Sequence, residues 1–380
     1  LMVGNKAVAY GAKLARVQVV SAYPITPQTT IVQYIAEFIA NGELSARFIE
    51  VESELSAMVA VQGASFAGAR VFTATSGPGL LLMHHPMMDG NDLPVVMGIV
   101  HRSNKSMEPD HSDLMAQRDS GWIQLYCENN QEALDTAIMS YKIAEDPRLY
   151  TPCTFAIDGY ILSYTAEPVE VPDQNSVDAW LPPFKPKWVP DVDVSFSEWR
   201  KQQRRFHGSQ KAWIDHDTHF KKSLDIIKET HADFEKIFGR AYGNGLLEEY
   251  NCDGAEAIIV AMGTIASTAR SVVDDMRAEG KKIGLVKLKC YRPFPTEEIK
   301  KLASKYNALG IIDRNVSLGA GGNVFNETRS AAYDMNERPR ILGFHTGMAG
   351  NEVTPAMIRK IAEKTVRAIG ERIEPVVEWV

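Results

Sequence analysis

The chain has 380 residues, 45% hydrophobic and 23% charged, with a formal net charge of −7. These values fit a soluble globular protein with room for two domains. An acidic balance without a basic block excludes nucleic-acid binding as an expectation, and no apolar run approaches the roughly 20 residues that would insert into a membrane.

The N-terminus shows no basic-then-apolar signal pattern. Four cysteines, Cys127, Cys153, Cys252 and Cys290, are scattered along the chain, no two within three residues of each other. That spacing excludes a local CxxC zinc or iron–sulfur motif and suits a reducing cytoplasm. No metal-ligand set is expected in this chain.

Residues 1 to about 160 alternate strand-like and helix-like runs. "VQVVSAY" (17–23) reads as a strand, followed by a helix from Gln28 to about Ala40. "RFIEVE" (47–52) precedes a helix rich in small residues over 54–68. "RVFTAT" (70–75), "LPVVMGIV" (93–100) and "CTFAID" (153–158) are further strands, with a helix at 131–145 before the last. This rhythm predicts a parallel sheet covered on both faces.

Prolines crowd 168 to 190, which reads as an extended connector, and a charged, periodic stretch over 199–240 reads as helical. A second α/β unit follows. Its strands are expected at 257–263, 282–290, "ALGIIDR" and, last, "RILGFHTG". The fold expected is two doubly wound α/β domains, 1–165 and 251–380, joined by a Pro-rich and helical connector, 166–250.

Ligands collect at the carboxyl ends of parallel strands, and four such ends in the first domain stand out. In "SAYPITPQTT", Thr26 is placed as an N-cap with Pro27 at the first helical position, so that the N–H groups of Gln28 and Thr29 make an anion site. A plain capped helix without a ligand is the competing reading. Glu54 opens a helix, where a carboxylate ordinarily serves the helix dipole. "TATSGPGL" places Ser76, Gly77, Pro78 and Gly79 at a strand end, where a phosphate or a flat ring could approach the backbone. It matches neither G-x-S-x-G nor G-x-G-x-x-G. A polar loop after the next strand holds His101, Arg102, Lys105, His111, Asp113 and Arg118.

The combination resembles a known family. "ESELSAMVAVQGASFAGARVFTATSGPGLL" (52–81) is similar to the pyrimidine-binding domain of thiamine-diphosphate enzymes. "YPITP", "SELSA" and "DHSDLMAQRDSGWIQ" narrow this to the alpha subunit of 2-oxoacid:ferredoxin (acceptor) oxidoreductases of the pyruvate or phenylglyoxylate type. "VAMGT" and "YRPFPTEEI" resemble that family's transketolase C-terminal-like domain.

The resemblance implies a catalytic Glu54 that hydrogen-bonds N1′ of the aminopyrimidine, driving the tautomer that takes the C2 proton. It implies that residues 76–79 hold the ring. Thr26 would touch the 2-oxoacid, and Arg102 would pair its carboxylate, with Lys105 and Arg118 as alternatives. The diphosphate motif is absent, since "CDGAEA" lacks a glycine before Asp253 and precedes a strand. The resemblance therefore places the diphosphate and Mg2+ on a beta subunit. It places iron–sulfur clusters on other subunits, among them gamma and a ferredoxin-like delta, with coenzyme A as co-substrate and ferredoxin or another external acceptor taking the electrons. Three rival readings are a non-catalytic assembly or regulatory subunit, a nucleotide-binding module using "SLGAGGN" (317–323), and a hydrolase using His111 and Asp113.

Overall fold

The structure is a computed structural model and describes residues 1–90, 92–187 and 210–380. Its strands, in chain order, are β1 (Met2–Val3), β2 (Val19–Ser21), β3 (Arg47–Ile49), β4 (Val71–Thr75), β5 (Val96–His101), β6 (Ile123–Tyr126), β7 (Cys153–Asp158), β8 (Ala166–Glu167), β9 (Leu247–Tyr250), β10 (Ala257–Ala261), β11 (Ile283–Leu288), β12 (Cys290–Arg292), β13 (Ala308–Asp313), β14 (Arg340–His345) and β15 (Val377–Trp379). The first large sheet runs β12-β6-β7-β5-β4-β2-β3 and the second β15-β14-β13-β10-β11-β9. Both are parallel except at one edge, where β12 and β9 run antiparallel to their neighbours. Central strands such as β4, β5, β7 and β13 are buried end to end. Their unbroken apolar runs are what a sheet covered on both faces requires.

Several local expectations need correction. The helix after β2 spans Thr29–Ala40 with Gln28 at its cap, so Thr26 is not the N-cap and Pro27 not the first helical residue. The Gln28 N–H is taken by the Ile25 carbonyl at 2.7 Å, so it is not a free anion donor. The Thr26–Pro27 peptide is cis.

The stretch after Pro168 is not wholly extended. A helix, Gln174–Trp180, forms in the proline-free window and is capped by Asp173. Val177 and Trp180 are buried, and the Trp180 ring packs edge-on against Phe234 at 5.3 Å. Of the helical expectation over 199–240, residues 199–209 lie outside the described residues. The remainder forms Gln210–Lys221 and Ser223–Phe238.

Several elements went unread, β6 and β9 among them, and two more are instructive. The helix Gly4–Leu14 packs on the helix Asn130–Ala144 through small residues. A Cβ on Gly11 would lie 2.4 Å from the Ala137 Cβ. The buried face of Gly4–Leu14 is built mostly of Gly and Ala, with Val8 and Leu14 as the large apolar residues. "RILGFHTG" is also not the last strand, because the three residues of β15 add a further edge.

The strand expected over 282–290 divides. β11 stays in the second sheet, while Cys290–Arg292 crosses over and pairs with β6 of the first. The two units are thus joined by a shared sheet edge. Buried ion pairs reinforce the joint. Glu132 meets Lys289 Nζ at 2.7 Å and Lys287 Nζ at 3.3 Å, and Lys287 also pairs with Glu128 at 3.1 Å. Burial opposes ionisation of Glu132, but the two lysines outweigh it and hold the carboxyl at about 2.

Candidate active site

The order β5-β4-β2-β3 sets the site. Four neighbouring strands end along one edge, and each is followed by a segment singled out above: Arg102 after β5, residues 76–79 after β4, the Thr26 turn after β2, and Glu54 after β3. Sequence-distant residues meet because parallel strands present all their carboxyl ends together.

Glu54 is the first residue of the helix Glu54–Phe66, whose cap is Ser53, accepting from the Ser56 N–H at 3.3 Å. The glutamate is only 8% exposed, although a carboxylate at a helix start ordinarily faces water. Its side chain lies over Gly79. A Cβ there would come within 2.6 Å of both Glu54 Oε1 and Thr75 Oγ1. Thr75 Oγ1 is buried without a hydrogen-bond partner. A carboxylate, a bare backbone and an unpartnered hydroxyl therefore converge at the end of β4. That is a cradle suited to a flat ring with polar edges, so these residues fit the aminopyrimidine end of thiamine diphosphate.

The 76–79 loop is held from behind. Ser76 Oγ donates to the Val100 carbonyl at 2.5 Å. Gly77 has φ +44°, a left-handed backbone that favours glycine, and its N–H donates to Asp113 Oδ2 at 3.1 Å. Pro78 starts the short helix Gly77–Leu82. Asp113 Oδ2 also accepts the Arg102 N–H at 2.9 Å, and its Oδ1 pairs with His101 Nδ1 at 2.7 Å. One buried carboxylate thereby fixes the glycine loop and Arg102 relative to each other.

Arg102 reaches across to the β2 loop. Its Nη1 donates to the Thr26 carbonyl at 3.1 Å, so Thr26 and Arg102 are neighbours, as substrate binding by both would need. Gln28 Nε2 ties the same turn to the Ala74 carbonyl at 3.1 Å. Of the alternatives, Lys105 is exposed on the loop, and Arg118 turns back to the Met115 carbonyl at 3.1 Å. Neither makes a described contact with Thr26.

A second buried cluster lies behind the first. His111 Nε2 meets Asp158 Oδ1 at 3.0 Å, and Arg314 Nη1 meets Asp158 Oδ2 at 3.2 Å. The Thr264 N–H donates to the same oxygen at 3.1 Å, and so does its hydroxyl. Burial opposes ionisation of Asp158, but Arg314 and then His111 hold its carboxyl well below the ordinary range. Burial lowers the His111 pKa more than Asp158 raises it. Donor atoms of His101, His111 and Asp158 lie within 4.8 Å of one another, a spacing a metal could use. Both Asp158 oxygens are already engaged, however, so the cluster reads as an ion-pair network.

Sequence reasoning missed Asp158, Thr264 and Arg314. The available signal was a charged residue at the carboxyl end of an apolar strand, as in "CTFAID" and "GIIDR".

Two rival readings lose their geometry. His111 pairs with Asp158 and Asp113 with His101, so the hydrolase residues serve other partners. In "SLGAGGN", Asp313 accepts the Val324 and Phe325 N–H groups at 3.0 Å each, and a Cβ on Gly322 would lie 2.1 Å from Asp313 Oδ2. An internal carboxylate occupies the place a phosphate would take.

A doubly wound first unit, with a glutamate over a bare glycine at its carboxyl edge, defines the class of thiamine-diphosphate-dependent enzyme subunits. Residues 10–225 match the family described as "Pyruvate flavodoxin/ferredoxin oxidoreductase, thiamine diP-bdg", and residues 255–358 match "Pyruvate:ferredoxin oxidoreductase core domain II". The chain is 42% identical to pyruvate synthase subunit PorA of Methanothermobacter thermautotrophicus, over 99% of this chain and 96% of that one. It is 38% identical to the alpha subunit of NADH-dependent phenylglyoxylate dehydrogenase of Aromatoleum evansii, over 98% and 92%. Among solved structures, 2-oxoglutarate:ferredoxin oxidoreductase from Magnetococcus marinus, with 2-oxoglutarate, coenzyme A and succinyl-CoA bound, shares the fold with a TM-score of 0.69 at 21% identity. The match covers 96% of this chain and 65% of that one. The chain belongs to the pyruvate flavodoxin/ferredoxin oxidoreductase family.

Proposed function

We propose that the chain is the alpha subunit of a 2-oxoacid:acceptor oxidoreductase, catalytic only in complex with other subunits. It would carry out CoA-dependent oxidative decarboxylation of a 2-oxoacid to acyl-CoA and CO2. Electrons would pass to iron–sulfur clusters on partner subunits and then to ferredoxin or another acceptor. The observation that carries this reading is the burial of Glu54 against the bare backbone of Gly79, beside an arginine bound to the Thr26 turn.

In this reading, residues 1–165 form the pyrimidine-binding domain, 251–380 the transketolase C-terminal-like domain, and 166–250 the connector. When bound, thiamine diphosphate would supply the carbon nucleophile for the substrate carbonyl. Glu54 would hold N1′ of the ring, and residues 76–79 would offer it a backbone surface. Arg102 offers a planar fork to the 2-oxoacid carboxylate, and the Thr26 hydroxyl donates beside it. The diphosphate and Mg2+ belong to a beta subunit. Leu55, Val59, Leu81 and Leu82 support this assignment. They are large apolar residues left exposed on the two helices that carry Glu54 and Gly79, where a partner chain would cover them. Among the described residues no helix is long and apolar enough to cross a membrane. The cytoplasmic setting of this reading rests on the four scattered cysteines, which are free and buried.

The test is to purify the chain with its partners, add coenzyme A and, in turn, pyruvate, phenylglyoxylate and a branched 2-oxoacid, and follow viologen reduction. Reduction with at least one 2-oxoacid is expected. None with any would leave an assembly subunit as the better reading.

A further inference from the structure

The second sheet ends directly behind the loop that carries Arg102, and one side chain spans the join. Arg314 follows β13 and is buried. Its Nη1 meets Asp158 Oδ2 at 3.2 Å, and its Nε donates to the Gly347 carbonyl at 3.0 Å. Its own carbonyl accepts the His111 N–H at 2.9 Å. Arg314 therefore ties together the end of β7, the 347–350 turn and the far end of the 102–110 loop.

The 347–350 turn holds that loop in its own right. Gly350 N–H donates to the Pro109 carbonyl at 3.0 Å, and Ala349 N–H to Asp110 Oδ2 at 3.0 Å. The approach is close, since a Cβ on Gly350 would lie 2.3 Å from the Glu108 Cβ. At the near end, Arg102 Nε donates to the Ser106 carbonyl of the same loop at 3.4 Å, while Nη1 reaches Thr26. The loop's position therefore sets where the Arg102 fork points.

We propose that Arg314 is a positioning residue for the substrate loop. It touches no substrate and acts through Asp158 and the 347–350 turn to aim Arg102. This rests on the reading of Arg102 as the partner of the 2-oxoacid carboxylate. An arginine suits the task because its fork serves a carboxylate on one side and a carbonyl on another, which a lysine point charge does not.

The test compares Arg314→Lys and Arg314→Met in the assembled complex. Arg314→Lys keeps a positive charge for Asp158 but loses the Nε bond to Gly347. Hydrogen exchange of the 102–110 amides should accelerate while that of β5 and β7 is unchanged. KM for the 2-oxoacid should rise about tenfold, with kcat and thiamine diphosphate affinity within about threefold of the parent. Should Arg314→Met not fold, Asp110→Ala takes its place. It removes the bonds from the Ala349 N–H and from the Ser112 N–H and hydroxyl, leaves Arg314 in place, and should give a smaller rise in KM. Unchanged loop exchange and KM in soluble Arg314→Lys would overturn the proposal. So would a joint collapse of KM, kcat and cofactor affinity, which would mark a general structural role. If the parent complex turns over no 2-oxoacid, the functional reading fails on its own, and loop exchange still decides whether Arg314 latches the loop.

Discussion

At the carboxyl edge of the first sheet, the loops after β2, β3, β4 and β5 bring Thr26, Glu54 and Arg102 together around Gly77 and Gly79, and the buried Thr75 hydroxyl beside Glu54 is left without a partner. At the carboxyl edge of the second sheet, the strand-end carboxylate is bound by the chain itself. Asp313 absorbs the N–H groups that open the helix Asn323–Ala332 and fills the space beside Gly322. Arg314 and the 347–350 turn face the first unit. The two units share an architecture, and in the proposed function one presents chemistry while the other braces it. The difference lies in the strand-end groups: Asp313 is satisfied by two helix-opening N–H groups, whereas Glu54 lies beside a Thr75 hydroxyl that has no partner.

Filling the open edge should have a large effect on activity and little on folding. Gly79→Ala puts a Cβ against both the Glu54 carboxylate, which can move aside, and the Thr75 hydroxyl, whose β-branched side chain on a buried strand is stiffer. A displacement of about 1 Å at a reacting group costs about a hundredfold in turnover. Viologen reduction by the complex should fall by that order, with a much smaller loss of thermal stability from the contact with Thr75.

Breaking the brace should do the reverse. Glu132→Gln leaves Lys287 and Lys289 buried with less compensation, and removing one partner of such a set costs about 3–5 kcal/mol. Denaturant unfolding should show that loss, with KM unaffected by comparison. Acid acts on the same group. Its folded value, about 2, lies below the ordinary 4.5. The stabilisation is therefore complete above pH 4.5 and lost as pH falls from there toward about 2. In Glu132→Gln that part of the acid transition should vanish.

Within the open edge the effects should separate by role. Arg102→Ala removes charge-assisted bonds and should raise KM for the 2-oxoacid about ten- to a hundredfold. An unchanged KM would move the carboxylate role to Lys105 or Arg118. Thr26→Val removes one neutral hydroxyl and should cost only about three- to tenfold in kcat/KM.

Much of this division was written in local patterns. Apolar runs ending in TSGPG, HR and a helix-opening glutamate located the open edge, because parallel strands bring their carboxyl ends together without further information. The brace was not readable in the same way. The crossing of Cys290–Arg292 to the other sheet carries no periodicity signal, since a strand looks alike whichever sheet it joins. The helix Gly4–Leu14 buries mainly Gly and Ala, and its close contact with Ala137 through Gly11 appears only in the fold. The Thr26 turn misled because a Thr-Pro pair is a good helix start in isolation, whereas here residues 25–28 close a separate turn and the helix starts two residues later, at Thr29. Asn5 Nδ2 donates to the Pro27 carbonyl at 2.8 Å. Arg314 and Asp158 acquire their roles only when two units meet.

The most direct test of the open edge is Glu54→Gln in the complete complex, measured as bound thiamine diphosphate and as 2-oxoacid-dependent viologen reduction on the same preparation. Cofactor content near that of the parent with turnover reduced by at least about a hundredfold is the expected result. Near-normal turnover would remove Glu54 from the chemistry and with it the assignment of this edge as the catalytic one.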